Sequence, residues 1–159
     1  MAVDISFKTN SKLLSKKISR YFKSVPKLTT KGLKQSAFAL KTVILERTKK
    51  GKGLSGKFTS YSDAYVQYLK SIGAPTIVDL RLTGDMLGSI QTKLINKRKA
   101  QVYFGRKAEE LKANIITKGT KQPSRPFFGF TRPKEEKFIQ RVFIRYVEKE
   151  MNRRKPRWV

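Results

Sequence analysis

The sequence predicts an α+β domain in which a small, mainly antiparallel sheet is packed against two long helices and several short ones. Three observations carry that expectation. Apolar residues recur at helical spacing over residues 30–48 and again over 138–151. Period-two alternation flanks a polar turn at residues 96–99. A proline-bracketed aromatic segment at residues 119–131, GTKQPSRPFFGFT, separates two helical patterns.

In chain order, Val3, Ile5 and Phe7 alternate with polar residues, the pattern of a short half-buried strand. Thr9-Asn10-Ser11 is a cap cluster, after which Leu13, Leu14, Ile18 and Phe22 share a helical face that Pro26 is expected to end. The lysines opposite that face read as solvated. Leu33, Ala37, Leu40, Val43, Ile44 and Leu45 then mark the longest internal helix. Arg47 to Lys50 complement the negative end of its dipole, and Gly51 stands where a left-handed C-cap belongs.

Residues 51–57, GKGLSGK, spell the GxxxxGK of a phosphate-cradling loop. Phe58 replaces the hydroxyl residue that would hold magnesium, and a helix precedes the segment where a P-loop requires a strand. A mobile basic loop is the better expectation. Ser62 and Asp63 then start a helix, with Tyr61 placed to staple onto Val66 and a stripe of Tyr65, Val66, Leu69 and Ile72. Gly73 and Pro75 stop it.

Residues 79–90 read as an extended entry, a Thr83 cap and one or two helical turns. Leu94 and Ile95 enter a strand whose partner holds Ala100, Val102 and Phe104, so Asn96-Lys97-Arg98-Lys99 is the basic tip of a hairpin. Such a tip suits phosphates; lysine there also blocks edge-to-edge aggregation. Ala108, Leu111, Ile115 and Ile116 mark a short helix with Glu109-Glu110 in its first turn and Gly119 at its end.

Pro123 and Pro126 cannot donate backbone hydrogen bonds, so Ser124-Arg125 is expected extended, as an edge strand docked on the core; the alternative is a loop whose Phe127, Phe128 and Phe130 simply fill that core. Pro133 and Glu135-Glu136 open the last helix, with Phe138, Ile139, Val142, Phe143, Tyr146, Val147 and Met151 on its core face. The expectation is one domain over residues 1–151 and a basic tail over 152–159, which contains Arg153, Arg154, Arg157 and Trp158.

The charge narrows the function. Against 37 Lys plus Arg there are 11 Asp plus Glu, a formal +26. A body so charged repels itself, which favours a polyanionic partner, nucleic acid first. With neither cysteine nor histidine, thiolate metal sites, imidazole bases and His-based triads are excluded. No apolar run reaches the roughly 20 residues of a membrane span, and residues 1–7 lack the apolar core of a secretory signal, so a cytosolic or particle-borne protein is expected.

The carboxylates are scattered. Both adjacent pairs have a helix first turn to explain them, and Asp63, Asp79 and Asp85 are the trio a metal nuclease would have to gather. The expectation is therefore no enzyme, no cofactor and no metal.

The order of these signals over residues 30–147 resembles the phage virion morphogenesis and tail-completion family, which includes the Mu-type G protein and the small neck proteins of long-tailed phages. Three pieces carry the likeness: Gly56-Lys-Phe-Thr-Ser-Tyr-Ser62 before a tyrosine-bearing helix; Leu80 to Ile90, read as L-x-x-T-G-x-M/L-x-x-S-I; and Pro123-Ser-Arg-Pro-Phe-Phe-Gly129. Many members carry histidine ahead of the proline-rich piece, where this chain has Asn114-Ile-Ile-Thr-Lys118.

The resemblance implies a structural protein of the head–tail junction, as neck, tail-completion or tail-terminator component. It would form a homo-oligomeric ring of about 6 or 12 copies around the double-stranded DNA channel, between portal or adaptor and tail. In that setting the residues expected near DNA are Lys49, Lys50, Lys52, Lys57, Lys97, Arg98, Lys99, Arg153, Arg154 and Arg157. Those expected to pack core or subunit contacts are Tyr61, Tyr65, Leu80, Thr83, Gly84, Arg125, Pro126, Phe127, Phe128 and Phe130. In a ring the basic loop, hairpin tip and tail should point toward one axis. The alternative is a free, sequence-nonspecific nucleic-acid-binding protein using the same cations.

Overall fold

A single helix of 39 residues, α1 (Ser11–Lys49), is the spine of the fold. In this computed structural model the described residues are 11–81, 83–119, 122–129 and 133–154. The strand expected at Val3, Ile5 and Phe7, and the packing residue Phe130, lie outside them.

Pro26 was expected to divide α1 into two helices, and it does not. Its ring removes one backbone donor, yet the helix runs through, with the hydroxyls of Thr29 and Thr30 donating to the Pro26 carbonyl at 3.0 and 2.8 Å. Leu28, two residues on, is fully buried. That burial holds the helix across a residue whose interior helical cost is about 3 kcal/mol. Pro26→Ala should therefore raise the unfolding free energy by about 1–3 kcal/mol, measured by urea denaturation; an unchanged midpoint would mean that the proline is absorbed without strain.

The remaining elements are α2 (Asp63–Ser71), α3 (Asp85–Gly88), β1 (Ile90–Asn96), β2 (Lys99–Phe104), α4 (Lys107–Lys118) and α5 (Pro133–Arg154). The α+β class is therefore as expected. The strands form one antiparallel pair, from Ile90 opposite Phe104 to Asn96 opposite Lys99, with an irregularity before the tip. At the tip the Arg98 amide donates to the Asn96 side-chain oxygen at 2.8 Å, an Asx turn that local sequence specifies.

α5 runs antiparallel to α1. Arg47 meets Glu135 at one end, and farther along Gly32 faces Phe143 and Val147 so closely that a Cβ there would lie 3.0 Å from the Phe143 ring. The face expected to turn inward does so, with Ile139, Val142, Phe143, Tyr146, Val147 and Met151 half-buried and Phe138 43% exposed, but no residue of α5 is fully buried, so the helix clads α1 rather than entering the core as expected. The core is Ile44, Met86, Leu87, Ile90, Ala113 and Phe127, flanked by Leu40, Phe58, Leu80, Val102, Phe104, Ile116 and Phe128.

Several expected faces differ. α4 begins and ends where predicted, yet it buries Glu109 and Ala113 and leaves Leu111 and Ile115 56% and 51% exposed. Two stripes of this helix, 109/113/116 and 108/111/115, have equivalent helical spacing. The small Ala113 lets the backbone approach the core, and that chose the first. On α2, Ser62 caps as expected, with the Tyr65 amide 3.4 Å from its hydroxyl, but Ile72 is exposed, and the ring beside Tyr61 is Tyr65 at 4.9 Å. The residue at the N-cap of α3 is Gly84 in a left-handed conformation; Thr83, expected there, accepts from the Asp85 amide at 3.4 Å.

Candidate functional site

The proline-bracketed segment is not a strand. Its backbone turns away from the sheet to close two other elements, because its two prolines leave few donors for a ladder. The Arg125 amide donates to the Ile116 carbonyl at 2.9 Å and the Ser124 hydroxyl to the Thr117 carbonyl at 2.6 Å, satisfying the open end of α4 beyond left-handed Gly119. On its other side the Pro126 carbonyl accepts from the Leu54 amide at 2.7 Å.

That last bond corrects the expectation of a mobile loop at residues 51–57. Gly53 and Gly56 are joined at 2.7 Å, Phe58 donates to Gly51 at 2.8 Å, and Lys52 bridges to Lys57. A Cβ on Gly53 would lie 2.4 Å from the Pro126 carbonyl oxygen and 2.5 Å from the Phe58 ring. Glycine is used here for close backbone approach rather than for cradling a phosphate.

Two buried arginines hold this junction. Arg125 is 3% exposed; its Nε donates to the Thr59 carbonyl at 3.1 Å, its Nη2 to the Ser60 carbonyl at 3.2 Å, and its guanidinium lies 5.1 Å from the Tyr61 ring centroid. Arg47, on α1, is 8% exposed and donates from Nη1 to Glu135 at 2.6 Å, and from Nη2 to the carbonyls of Phe127 at 2.6 Å and Gly129 at 3.1 Å. Sequence reasoning assigned Arg47 only a role with the helix dipole. Its position three residues after buried Ile44 is the signal that places it on the inward stripe.

Around Arg125 lies an open groove of about 610 Å³, lined by Tyr61, Tyr65, Leu80, Ile116 and Pro123 among others. Burial and the neighbouring Tyr65 phenol push the Tyr61 phenol above its ordinary value. Leu80, at φ 57°, is the one non-glycine with positive φ among the described residues, a bend held by the Arg81 amide on the Asp79 carboxylate at 3.0 Å. Thus Tyr61, Tyr65, Leu80 and Arg125 meet at one groove, and Phe127 and Phe128 pack behind it with Phe104. Pro126 is half-buried, Gly84 is a cap and Thr83 is exposed.

The cations expected near DNA do not form one patch. Lys49, Lys50, Lys52 and Lys57 are exposed at the C-terminal end of α1. The hairpin runs the other way: Ile90 packs with Ile44, whereas Leu94 shares a groove with Ala37 and Phe38. Its exposed tip, Lys97, Arg98 and Lys99, therefore lies toward the middle of α1, as does the end of α5, where Arg153 and Arg154 bridge to Glu150 at 2.8 and 3.7 Å. Loop and tip are separated along α1 by roughly 20 Å at 1.5 Å per residue. Arg157 lies outside the described residues.

Among the described residues no three His, Cys, Asp or Glu side chains are grouped for a metal, and no helix is long and apolar enough to cross a membrane. Asp63 sits in the first turn of α2, Asp79 holds the Leu80 bend, and Asp85 pairs at 3.6 Å with Arg106. No family model, curated protein or solved structure matches this chain.

Proposed function

We propose that this chain is a non-enzymatic structural protein of the phage head–tail junction, assembled in the host cytoplasm as a ring around the DNA channel and joining portal or adaptor to tail. The observation that carries the reading is the convergence of the three motif pieces. Arg125 of the third piece binds carbonyls of the first and stacks on Tyr61, while Phe127 packs with Met86, Leu87 and Ile90 of the second. Three segments, of which the first and third are joined across 66 residues of chain, thus form one structural unit.

Two further features support it. Exposed Ile77, Leu111 and Ile115 offer apolar surface to neighbouring subunits. A formal +26 suits a position beside packaged DNA or acidic ring proteins. The same charge favours the second reading, a free nucleic-acid-binding protein with no place in a particle.

Peptide mass spectrometry on purified particles, counting this chain against the major capsid protein, separates the two. The expected result is one ring of about 6 or 12 copies per particle. Absence from particles overturns the structural reading in favour of the second.

A further inference from the structure

The N-terminal half of α1 carries the most one-sided charge in the molecule. Residues 11–34 hold eight cations and no carboxylate. Six of them, Lys16, Arg20, Lys23, Lys27, Lys31 and Lys34, are spaced four, three, four, four and three residues apart, and all six are exposed. At 100° per residue this spacing confines them to an arc of about 80°, and at 1.5 Å rise the file is about 27 Å long. None has an ion-pair partner within 4 Å among the described residues. Glu150, whose carboxylate is held below its ordinary value by Arg153 and, in smaller part, by Arg154 and Lys31, is already bridged by Arg153 and Arg154.

This file is continuous with other positive surface. Lys34 lines a groove of about 500 Å³ together with Lys93 of β1, and the tip residues Lys97, Arg98 and Lys99 follow from that strand toward the same part of α1. Like charges at i, i+4 repel along a helix, so an isolated chain gains nothing from this arrangement. A rigid row of cations about 5 Å apart is what a row of phosphates can neutralise, since each strand of duplex DNA presents one per roughly 3.4 Å of axis.

We infer that the exposed face of α1 from Lys16 to Lys34, extended by Lys93 and the hairpin tip, is a binding surface for the phosphate backbone of duplex DNA. The basic loop at residues 49–57 lies outside it. A membrane surface fits less well, because it would need the apolar side of the same helix. From Leu28 onward that side is occupied, with Leu28 fully buried and Gly32 closed over by Phe143 and Val147 of α5. The surface reads no bases; it offers only charge, so binding is independent of sequence. It deepens the DNA-proximal part of the proposed function, yet it concerns the purified chain, so its outcome is separate from whether the chain is found in particles.

The test compares two variants of equal charge change. One carries Lys16→Gln, Arg20→Gln, Lys23→Gln and Lys27→Gln; the other carries Lys49→Gln, Lys50→Gln, Lys52→Gln and Lys57→Gln. Glutamine keeps helix propensity close to that of lysine, and circular dichroism checks that both variants are folded. Affinity for a fluorescein-labelled mixed-sequence duplex is measured from 50 to 300 mM salt. The helix variant should flatten the slope of log K against log salt by about 3 to 4, near 0.9 for each phosphate no longer neutralised, and the loop variant should leave it within one unit of the parent. Equal losses in the two variants, a larger loss in the loop variant, or wild-type binding to phosphatidylserine vesicles but not to duplex would each overturn the assignment.

Discussion

Replacing Arg47 with methionine is expected to lower the unfolding free energy by about 3–5 kcal/mol, the range for removing one partner of a buried ion pair. Methionine retains the apolar stem, so the loss reports the guanidinium. That group ties α1 to Glu135 of α5 and to the carbonyls of Phe127 and Gly129, segments more than 75 residues away. Removing it leaves a carboxylate that is 18% exposed and two carbonyls to be resolvated, in a place where α5 has no buried residue of its own to hold it down. Glu135→Gln should cost about 1–2 kcal/mol, because the amide oxygen still accepts from Arg47. Urea denaturation followed by far-ultraviolet circular dichroism, at salt high enough to screen the +26, measures both. A loss below 1 kcal/mol for Arg47→Met would mean that the helix pair is held by its apolar contacts alone.

Phe127→Ala should be of similar size, about 3–5 kcal/mol. The ring is fully buried and lies edge-on to Phe104 and Phe128, with centroids 6.3 and 6.4 Å away. Its pocket is walled by Ile44, Met86, Leu87, Ile90 and Ala113, drawn from α1, α3, β1 and α4. Four separate elements cannot collapse together into one cavity, so the upper part of the range is expected. Phe38→Ala is the matched control: that ring is 59% exposed, and its loss should cost under about 1 kcal/mol. If both substitutions cost the same, the core is centred elsewhere.

These two results bear on how the motif pieces are tested. Arg125, Phe127 and Leu80 build the junction itself, so changing them removes stability before it reports on assembly. Exposed residues carry the functional tests instead: Lys16 to Lys34 for DNA, and Leu111 with Ile115 for subunit contact.

Much of the fold was legible in the sequence because its signals are local. Ser62 caps α2, Gly51 and Gly119 adopt the left-handed conformation that ends α1 and α4, and Asn96 turns the hairpin, each through bonds within a few residues. The α+β class followed from those elements. Misreadings arose where a distant partner decides. Pro26 breaks a helix considered alone but not one anchored by buried Leu28. The glycine loop looks mobile until the Pro126 carbonyl is placed against Gly53 and Leu54.

The sequence by itself determined the start of α2 at Ser62, the ends of α1 and α4 at Gly51 and Gly119, the hairpin turn at Asn96, that the chain is strongly basic, and that imidazole and thiolate chemistry are excluded. Tertiary structure alone decided which of two equivalent faces α4 buries, that Arg47 is buried rather than a cation at a helix end, which carbonyls Arg125 binds, and that the loop cations stand apart from those of α1 and the hairpin. Periodicity fixes which residues share a face, but which face turns inward depends on how closely backbones approach, and that is set at Ala113, Gly32 and Gly53 by elements far away in the chain.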